Sequence, residues 1–263
     1  MAWIDRLQRE GARWAGRGID LLFPPRCILC HEDIVAADPI ASANNQAAEA
    51  CRGVVCTACI RAVSTDVMRC LRCGEAVSDT SDCRRCRGRP CDWDGIVVLA
   101  GYSDRLREAV LKAKHPASED ISAALATLLV RKHRVAITGW NIEAVVPVPM
   151  HWRRRALRRT SAADELARRM ALLLHVPVWA GLRRHKATRM QNELPIEERQ
   201  ENVCAAFRAQ RRLDGKCILL VDDVVTTGAT LAACRRALVA AGAQAVFVAV
   251  VAKADRSVAQ GDD

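Results

Sequence analysis

Aromatic residues are nearly missing from this chain: one Tyr, three Phe and six Trp, 4% of 263 residues. Base stacking has few side chains to draw on, and the core has to be aliphatic, built from a 51% hydrophobic composition. No run approaches the roughly 20 apolar residues that span a bilayer, so no membrane insertion is expected. The start, "MAWIDRLQREGARWAGRGIDLLFPP", is broken by charges and lacks the apolar stretch of a secretory signal. A cytoplasmic location is the expectation. Acidic residues are also short, 30 against 40 Lys and Arg, giving a formal +10. That surplus favours anionic partners (phosphates, nucleotides or nucleic acid) without choosing among them.

Cysteine is abundant. Ten of the 13 lie before residue 92. A reduced compartment makes clustered thiols metal ligands before disulfides. Four C-x-x-C pairs occur: Cys27/Cys30, Cys56/Cys59, Cys70/Cys73 and Cys83/Cys86. A two-residue spacer turns both thiolates toward one ion, and Zn²⁺ takes four ligands in a tetrahedron. Eight thiolates therefore fit two closed, structural Zn²⁺ sites that fold a segment too small for a full core. Sequential pairing would give two zinc ribbons, and interleaved pairing a cross-brace. Two such sites add about −4, leaving about +6. Cys51, Cys91 and His31 fall outside the pairs and are read as incidental.

The organisation follows from composition. Residues 1–25 form an amphipathic lead-in with Trp3, Leu7 and Trp14, residues 26–91 the cysteine-rich domain, and residues 92–255 a larger domain, with 256–263 as tail. Within the second part "VAADPIASANNQAAEA" is a loop insertion. Beyond it, "GIVVLAGY" and "EAVVPVP" predict buried strands; "DRLREAVLKAKH", "SAALATLLVRKH" and "AADELARRMALLLH" predict helices. "KCILLVDD", "GATLAACRRALVAAG" and "AVFVAVVAKA" give strand, helix and strand, hence a βαβ unit in a parallel sheet of an α/β domain.

The stretch "ILLVDDVVTTGAT" carries the chemistry. Its apolar strand runs into Asp222 and Asp223, then into a turn that opens a helix. Free backbone N–H groups and the helix N-terminus favour a phosphate, and Gly228 permits close approach. Thr226, Thr227 and Thr230 add hydroxyl donors, with Ala229 inside the turn. Carboxylates repel phosphate but accept from vicinal hydroxyls. A ribose 5-phosphate moiety satisfies both halves.

The thirteen residues resemble the phosphoribosyl pyrophosphate (PRPP) motif of type I phosphoribosyltransferases at every position. Together with the cysteine pairs, "LLFPPRCILC", "CLRCG", "LKAKH", "VVPVPMHWRR" and "QNELPIEERQENVCAAF" resemble the ComF family, which includes competence-associated proteins of bacteria. The resemblance implies a double zinc-ribbon head on a type I phosphoribosyltransferase-like parallel sheet flanked by helices. It implies PRPP as ligand, with Mg²⁺, and displacement of pyrophosphate by an acceptor. One stretch departs from it. Where family members carry Arg-Gly-Phe-Asn-Gln, this chain reads Arg158 to Ala162, "RRTSA". The loop that faces pyrophosphate has lost its glycine, aromatic and amides.

Candidates for the pyrophosphate and the closing loop are Lys112, Lys114, Arg158, Arg159, Arg183, Arg184 and Arg199. Thr226 stands where purine-salvage members carry an aspartate and cannot accept a base proton at neutral pH, so hypoxanthine–guanine salvage is not expected. Two functions remain. One is a phosphoribosyltransferase with an unassigned acceptor. The other is a PRPP sensor or single-stranded-DNA-binding accessory in DNA uptake, acting with competence helicase-type partners. Trp140, Trp152 and Trp179 lie near the basic runs, where a core role is the simpler one.

Overall fold

A computed structural model describes residues 26–34, 55–65, 67–79, 83–88, 90–115, 118–150, 161–184 and 206–254. The lead-in, the loop insertion, Cys51, Trp152, Arg158, Arg159 and Arg199 lie outside the described residues.

Twelve regular elements follow one another among the described residues: α1 (Thr57–Val63), β1 (Gly95–Gly101), α2 (Asp104–Lys112), α3 (Glu119–Lys132), α4 (Arg134–Gly139), β2 (Ala144–Pro147), α5 (Ala162–Leu174), β3 (Leu182–Arg184), β4 (Phe207–Ala209), β5 (Cys217–Val225), α6 (Ala229–Ala240) and β6 (Ala245–Lys253). Four strands form one parallel sheet in the order β1-β6-β5-β2. β3 and β4 make a separate antiparallel pair.

Both faces of the sheet are covered, which is why its strands read as unbroken apolar runs. Alternation along each strand sorts side chains to one side or the other. Val97, Leu99, Leu219, Val221, Ala249 and Val251 enter a core shared with α2, α3 and α5. Ile96, Val98, Ile218, Leu220, Val246, Val248 and Val250 enter the opposite core, under α6 and the β3–β4 pair. α3 suits its place: Glu119 and Asp120 occupy its first turn and Arg131 and Lys132 its last, complementing the helix dipole.

The cysteine head is built from two related knuckles. Cys27 N donates to Glu32 O and His31 N to Cys27 O, at 2.8 and 2.7 Å; Cys70 N and Gly74 N repeat this with Glu75 O and Cys70 O, at 2.9 and 2.8 Å. The residue after each second cysteine is left-handed, His31 at φ 64° and Gly74 at φ 76°. Glycine takes that conformation without strain, and a Cβ on Gly74 would stand 2.9 Å from Val98 Cγ2 of the sheet. The head packs on the larger part directly. Cys27, Leu29, Val55, Ile60 and Val63 join the α2–α3–α5 core. Ile96 N of the edge strand donates to Leu71 O at 2.7 Å.

β5 is longer than its sequence pattern predicts. It continues through both aspartates, and Val224 and Val225 still pair with Ala252 and Lys253 of β6. The two β-branched valines fit a pleated surface and extend the ladder.

Candidate functional site

The aspartates sit at the carboxyl end of the sheet, where α/β folds bind ligands. As neighbours in an extended strand they face opposite sides. Asp222 continues the row of Ile218 and Leu220 toward α6. Asp223 continues the row of Leu219 and Val221, toward the segment after α2. Asp223 Oδ2 lies 2.9 Å from Lys114 Nζ. Asp222 Oδ1 accepts from Asp223 N at 2.9 Å, and Asp223 Oδ1 from Val224 N at 2.8 Å. Burial pushes the Asp222 carboxyl well above the usual carboxylate range, and the charge of Asp223 adds to the effect.

The turn that follows leaves Thr226, Thr227 and Thr230 exposed. Gly228 is the N-cap of α6 at φ 84°, a conformation strained for any side chain. Its lack of a Cβ has a second use. A Cβ there would stand 2.8 Å from Cη2 of Trp93, so the glycine seats the Trp93 ring against the turn. Sequence reasoning assigned the close approach to a ligand and missed Trp93, which stands two residues after Cys91 without any motif to mark it.

The cationic candidates separate. Lys114 joins the aspartates. Lys112 is held elsewhere, with Nζ on Leu29 O at 2.9 Å and on Glu108 Oε1 at 3.0 Å. α2 ends at Lys112, and two residues at about 100° each turn the two side chains apart. Arg183 and Arg184 lie on β3. Arg183 Nε donates to Gln210 Oε1 at 3.2 Å, and the Arg184 guanidinium stands 5.5 Å over the Phe207 ring. Trp140 stacks on Phe247 with centroids 4.5 Å apart, a packing role.

The thiols fall into two groups, Cys27/Cys30/Cys56/Cys59 and Cys70/Cys73/Cys83/Cys86, each with all Sγ atoms within 4.8 Å of one another. This is the sequential pairing. Zn–S bonds near 2.3 Å in a tetrahedron place sulfurs about 3.8 Å apart. The observed Sγ···Sγ distances are 3.8 Å for Cys30–Cys56, 3.8 Å for Cys70–Cys86 and 3.6 Å for Cys73–Cys83. Donor chemistry and spacing both fit the ion, so each group could hold zinc. Cys91 Sγ lies 4.0 Å from Cys86, beside the second group.

The phosphoribosyl transferase domain model matches residues 114–262, more than half of the chain. The chain belongs to the phosphoribosyl transferase domain family. It is 34% identical over 201 residues to DNA utilization protein YhgH of Escherichia coli K12, covering 74% of this chain and 88% of that protein. It is 28% identical over 185 residues to Competence protein F of Haemophilus influenzae, covering 67% of this chain and 80% of that one. These homologues bear out the ComF resemblance. Glutamine PRPP amidotransferase from B. subtilis, solved with ADP and GMP, aligns at 18% identity and a TM-score of 0.37, over 54% of this chain and 30% of that one. Among the described residues no helix is long and apolar enough to cross a membrane.

Proposed function

We propose that this phosphoribosyl transferase domain protein binds PRPP with Mg²⁺ at the end of β5 and transfers the phosphoribosyl group to an acceptor. The observation that carries the reading is the pairing of two carboxylates with an exposed hydroxyl-rich turn around Gly228. The turn and the N-terminus of α6 take the 5′-phosphate. Asp222 and Asp223 accept from the ribose hydroxyls. Lys114, 2.9 Å from Asp223, meets the pyrophosphate in this reading. Asp222 and Asp223 are hard oxygen donors suited to Mg²⁺, which would supply charge neutralisation to the leaving group. A bond from the acceptor to the anomeric carbon forms as the bond to a pyrophosphate oxygen breaks. Pyrophosphate leaves with the electron pair, and the acceptor gives up its proton to solvent. The protein's share is positioning and charge stabilisation. Calorimetry with PRPP and Mg²⁺, followed by pyrophosphate release over a panel of bases and nucleic acids, tests it. No PRPP binding at any Mg²⁺ concentration would rule it out.

Zinc in the two thiol groups belongs to the same proposal, as a structural ion. A second reading, single-stranded DNA handling during uptake, has one observation in its favour beside the relatives' names. Arg183 and Arg208 stand directly opposite on β3 and β4, both exposed. Like charges so paired destabilise a ribbon unless an anion joins them. If they track nucleic-acid phosphates, affinity should fall steeply with salt, and Arg183→Ala with Arg208→Ala should flatten the slope by about 1.4. An unchanged slope leaves them as a solvated face.

A further inference from the structure

A fifth thiol stands beside the second cysteine group. Cys91 Sγ lies 4.0 Å from Cys86 Sγ, nearly as close as Cys86 is to Cys70 at 3.8 Å. A tetrahedral ion takes four thiolates. Cys70, Cys73, Cys83 and Cys86 already make such a set, with all sulfurs within 4.8 Å of one another. Cys91 is therefore surplus to the ion. We propose that Cys91 is an oxidation site: a peroxide converts it to a sulfenic acid, Cys86 closes a disulfide with it, and the second group loses its metal. The inference rests on the zinc reading above and gives a role to a sulfur that this reading leaves unused.

Reach comes first. A disulfide holds its sulfurs about 2.05 Å apart, so the pair must close by about 2 Å. The chain between them has room to follow. Gly88 is left-handed at φ 68°, and a Cβ there would meet nothing within 4 Å. Access comes second. A cleft of about 310 Å³ lies between the second cysteine group and the phosphate turn, with Arg72, Arg85, Cys91, Trp93, Thr226 and Lys253 in its lining. Cys91 is half-buried on that wall, whereas Cys70, Cys83 and Cys86 are 2%, 8% and 6% exposed. A space of this size admits several waters, hence a peroxide.

The third observation is Arg72. Of the cations that line the cleft, Arg85 and Lys253 are both taken by Glu75 Oε1, at 2.5 and 3.2 Å. The Arg72 guanidinium is held by Cys91 first, then by Cys86 and Cys70. Negative charge builds on the departing oxygen as a peroxide O–O bond breaks, and a guanidinium at the sulfur stabilises it there.

The steps balance. The Cys91 sulfur gains one peroxide oxygen, the O–O bond breaks, and the other oxygen leaves as water with the thiol proton. The Cys86 thiolate then attacks the Cys91 sulfur. An S–S bond forms, the S–O bond breaks, and hydroxide leaves with the electron pair. The two sulfurs give up two electrons together, and one peroxide takes them. Cys86 in a disulfide is no longer a thiolate ligand, so three remain and the second group loses affinity for its ion. Cys73 and Cys83 stand closer, at 3.6 Å. Both are ligands, however, and a bridge between them would remove two from the ion at once.

The test uses the full chain, purified anaerobically, with its zinc counted before and after hydrogen peroxide. A chromogenic chelator follows the release. Free thiols are then blocked, and bridges are mapped by mass spectrometry after trypsin without reductant. Trypsin cuts after Arg85 and Arg87, so the bridge would join the dipeptide Cys86-Arg87 to the peptide from Gly88 to Arg105. Wild type should give that linked pair and lose one zinc ion, and dithiothreitol with added zinc should restore it. Cys91→Ala should start with both ions and release about tenfold more slowly, because Cys86 has lost a partner held beside it. Three results overturn the proposal: no Cys86–Cys91 bridge in wild type, that bridge with both ions retained, or release from Cys91→Ala at the wild-type rate. Where the alanine variant starts short of metal, the wild-type map and zinc count decide alone. If untreated wild type carries no zinc, the zinc reading fails, and the map still decides whether Cys91 and Cys86 pair.

Discussion

Lys114 Nζ lies 2.9 Å from Asp223 Oδ2, while burial pushes Asp222, one residue earlier, toward its neutral form despite the charge of Lys114. Two identical side chains in one motif thus have different surroundings. Lys114 is a counter-ion at rest and a pyrophosphate contact in the proposed complex. Lys114→Met should weaken PRPP about tenfold, one charge-assisted contact. Ribose 5-phosphate, which has no pyrophosphate, should lose much less. Calorimetry on both ligands checks it, and equal losses would reduce Lys114 to a partner of Asp223.

Asp222 trades stability for function. Its folded pKa is raised above the ordinary value of 3.8. The folded state therefore holds the proton more tightly, a contribution present in acid and lost as pH rises through the raised value. Asp222→Asn removes that loss. At pH 7.5 it should raise Tm by about 2–4 °C, the shift 1 kcal/mol gives at this chain length, with the gain gone near pH 4. The same variant should bind PRPP about 10- to 150-fold more weakly. Thermal melts at the two pH values, beside calorimetry, separate the effects. A variant less stable at pH 7.5 would contradict the burial argument.

His133 gives an opposite pH dependence. Burial lowers its pKa to about 4 from 6.5, and its Nε2 lies 2.9 Å from Val98 O. Unfolded chains take up a proton below about 6.5, while the folded chain resists until about 4. Stability should fall across that window as pH drops, by on the order of 2 kcal/mol after discounting for partial exposure. His133→Gln can still donate to Val98 O and should flatten the fall. Urea midpoints between pH 4 and 7 measure it. Equal slopes in both proteins would remove His133 as the cause.

Anaerobically purified protein should carry two zinc ions per chain by elemental analysis. Cys73→Ser should leave one. The first thiol group should keep its ion in that variant, since it shares no ligand with the second. Loss of both ions would mean that the groups fold as one unit.

The fold was legible where periodicity and chemistry coincide. "GIVVLAGY", "EAVVPVP" and "AVFVAVVAKA" lie in β1, β2 and β6, and the βαβ unit stands as predicted. The C-x-x-C spacing marked the thiol groups, and only three-dimensional packing decided their pairing. The motif marked Asp222 and Asp223 but not their difference, because pleating and the reach of Lys114 are not written in a local pattern. α1, α4 and the β3–β4 pair escaped notice because each is too short to show a period. Trp93 and the arginines of the cleft escaped for another reason. Arg72 and Lys253 are 181 positions apart, and only the docking of the head on the sheet brings them together.

The docked head also guards a vulnerable border. β1 ends the sheet, and an outermost strand presents unpaired backbone groups that can template pairing with another molecule. Here Ile96 N is taken by Leu71 O, Leu99 O by Lys132 Nζ at 2.8 Å, and Val98 O by His133. Lys132 Nζ also reaches Thr65 O in the head. β2, at the far border, is covered by Pro177–Trp179. Metal loss or thiol oxidation in the head would therefore do more than loosen a small module. It would uncover Ile96 N at that border and leave the chain more prone to aggregate through β1, so that redox damage in the head is felt as insolubility.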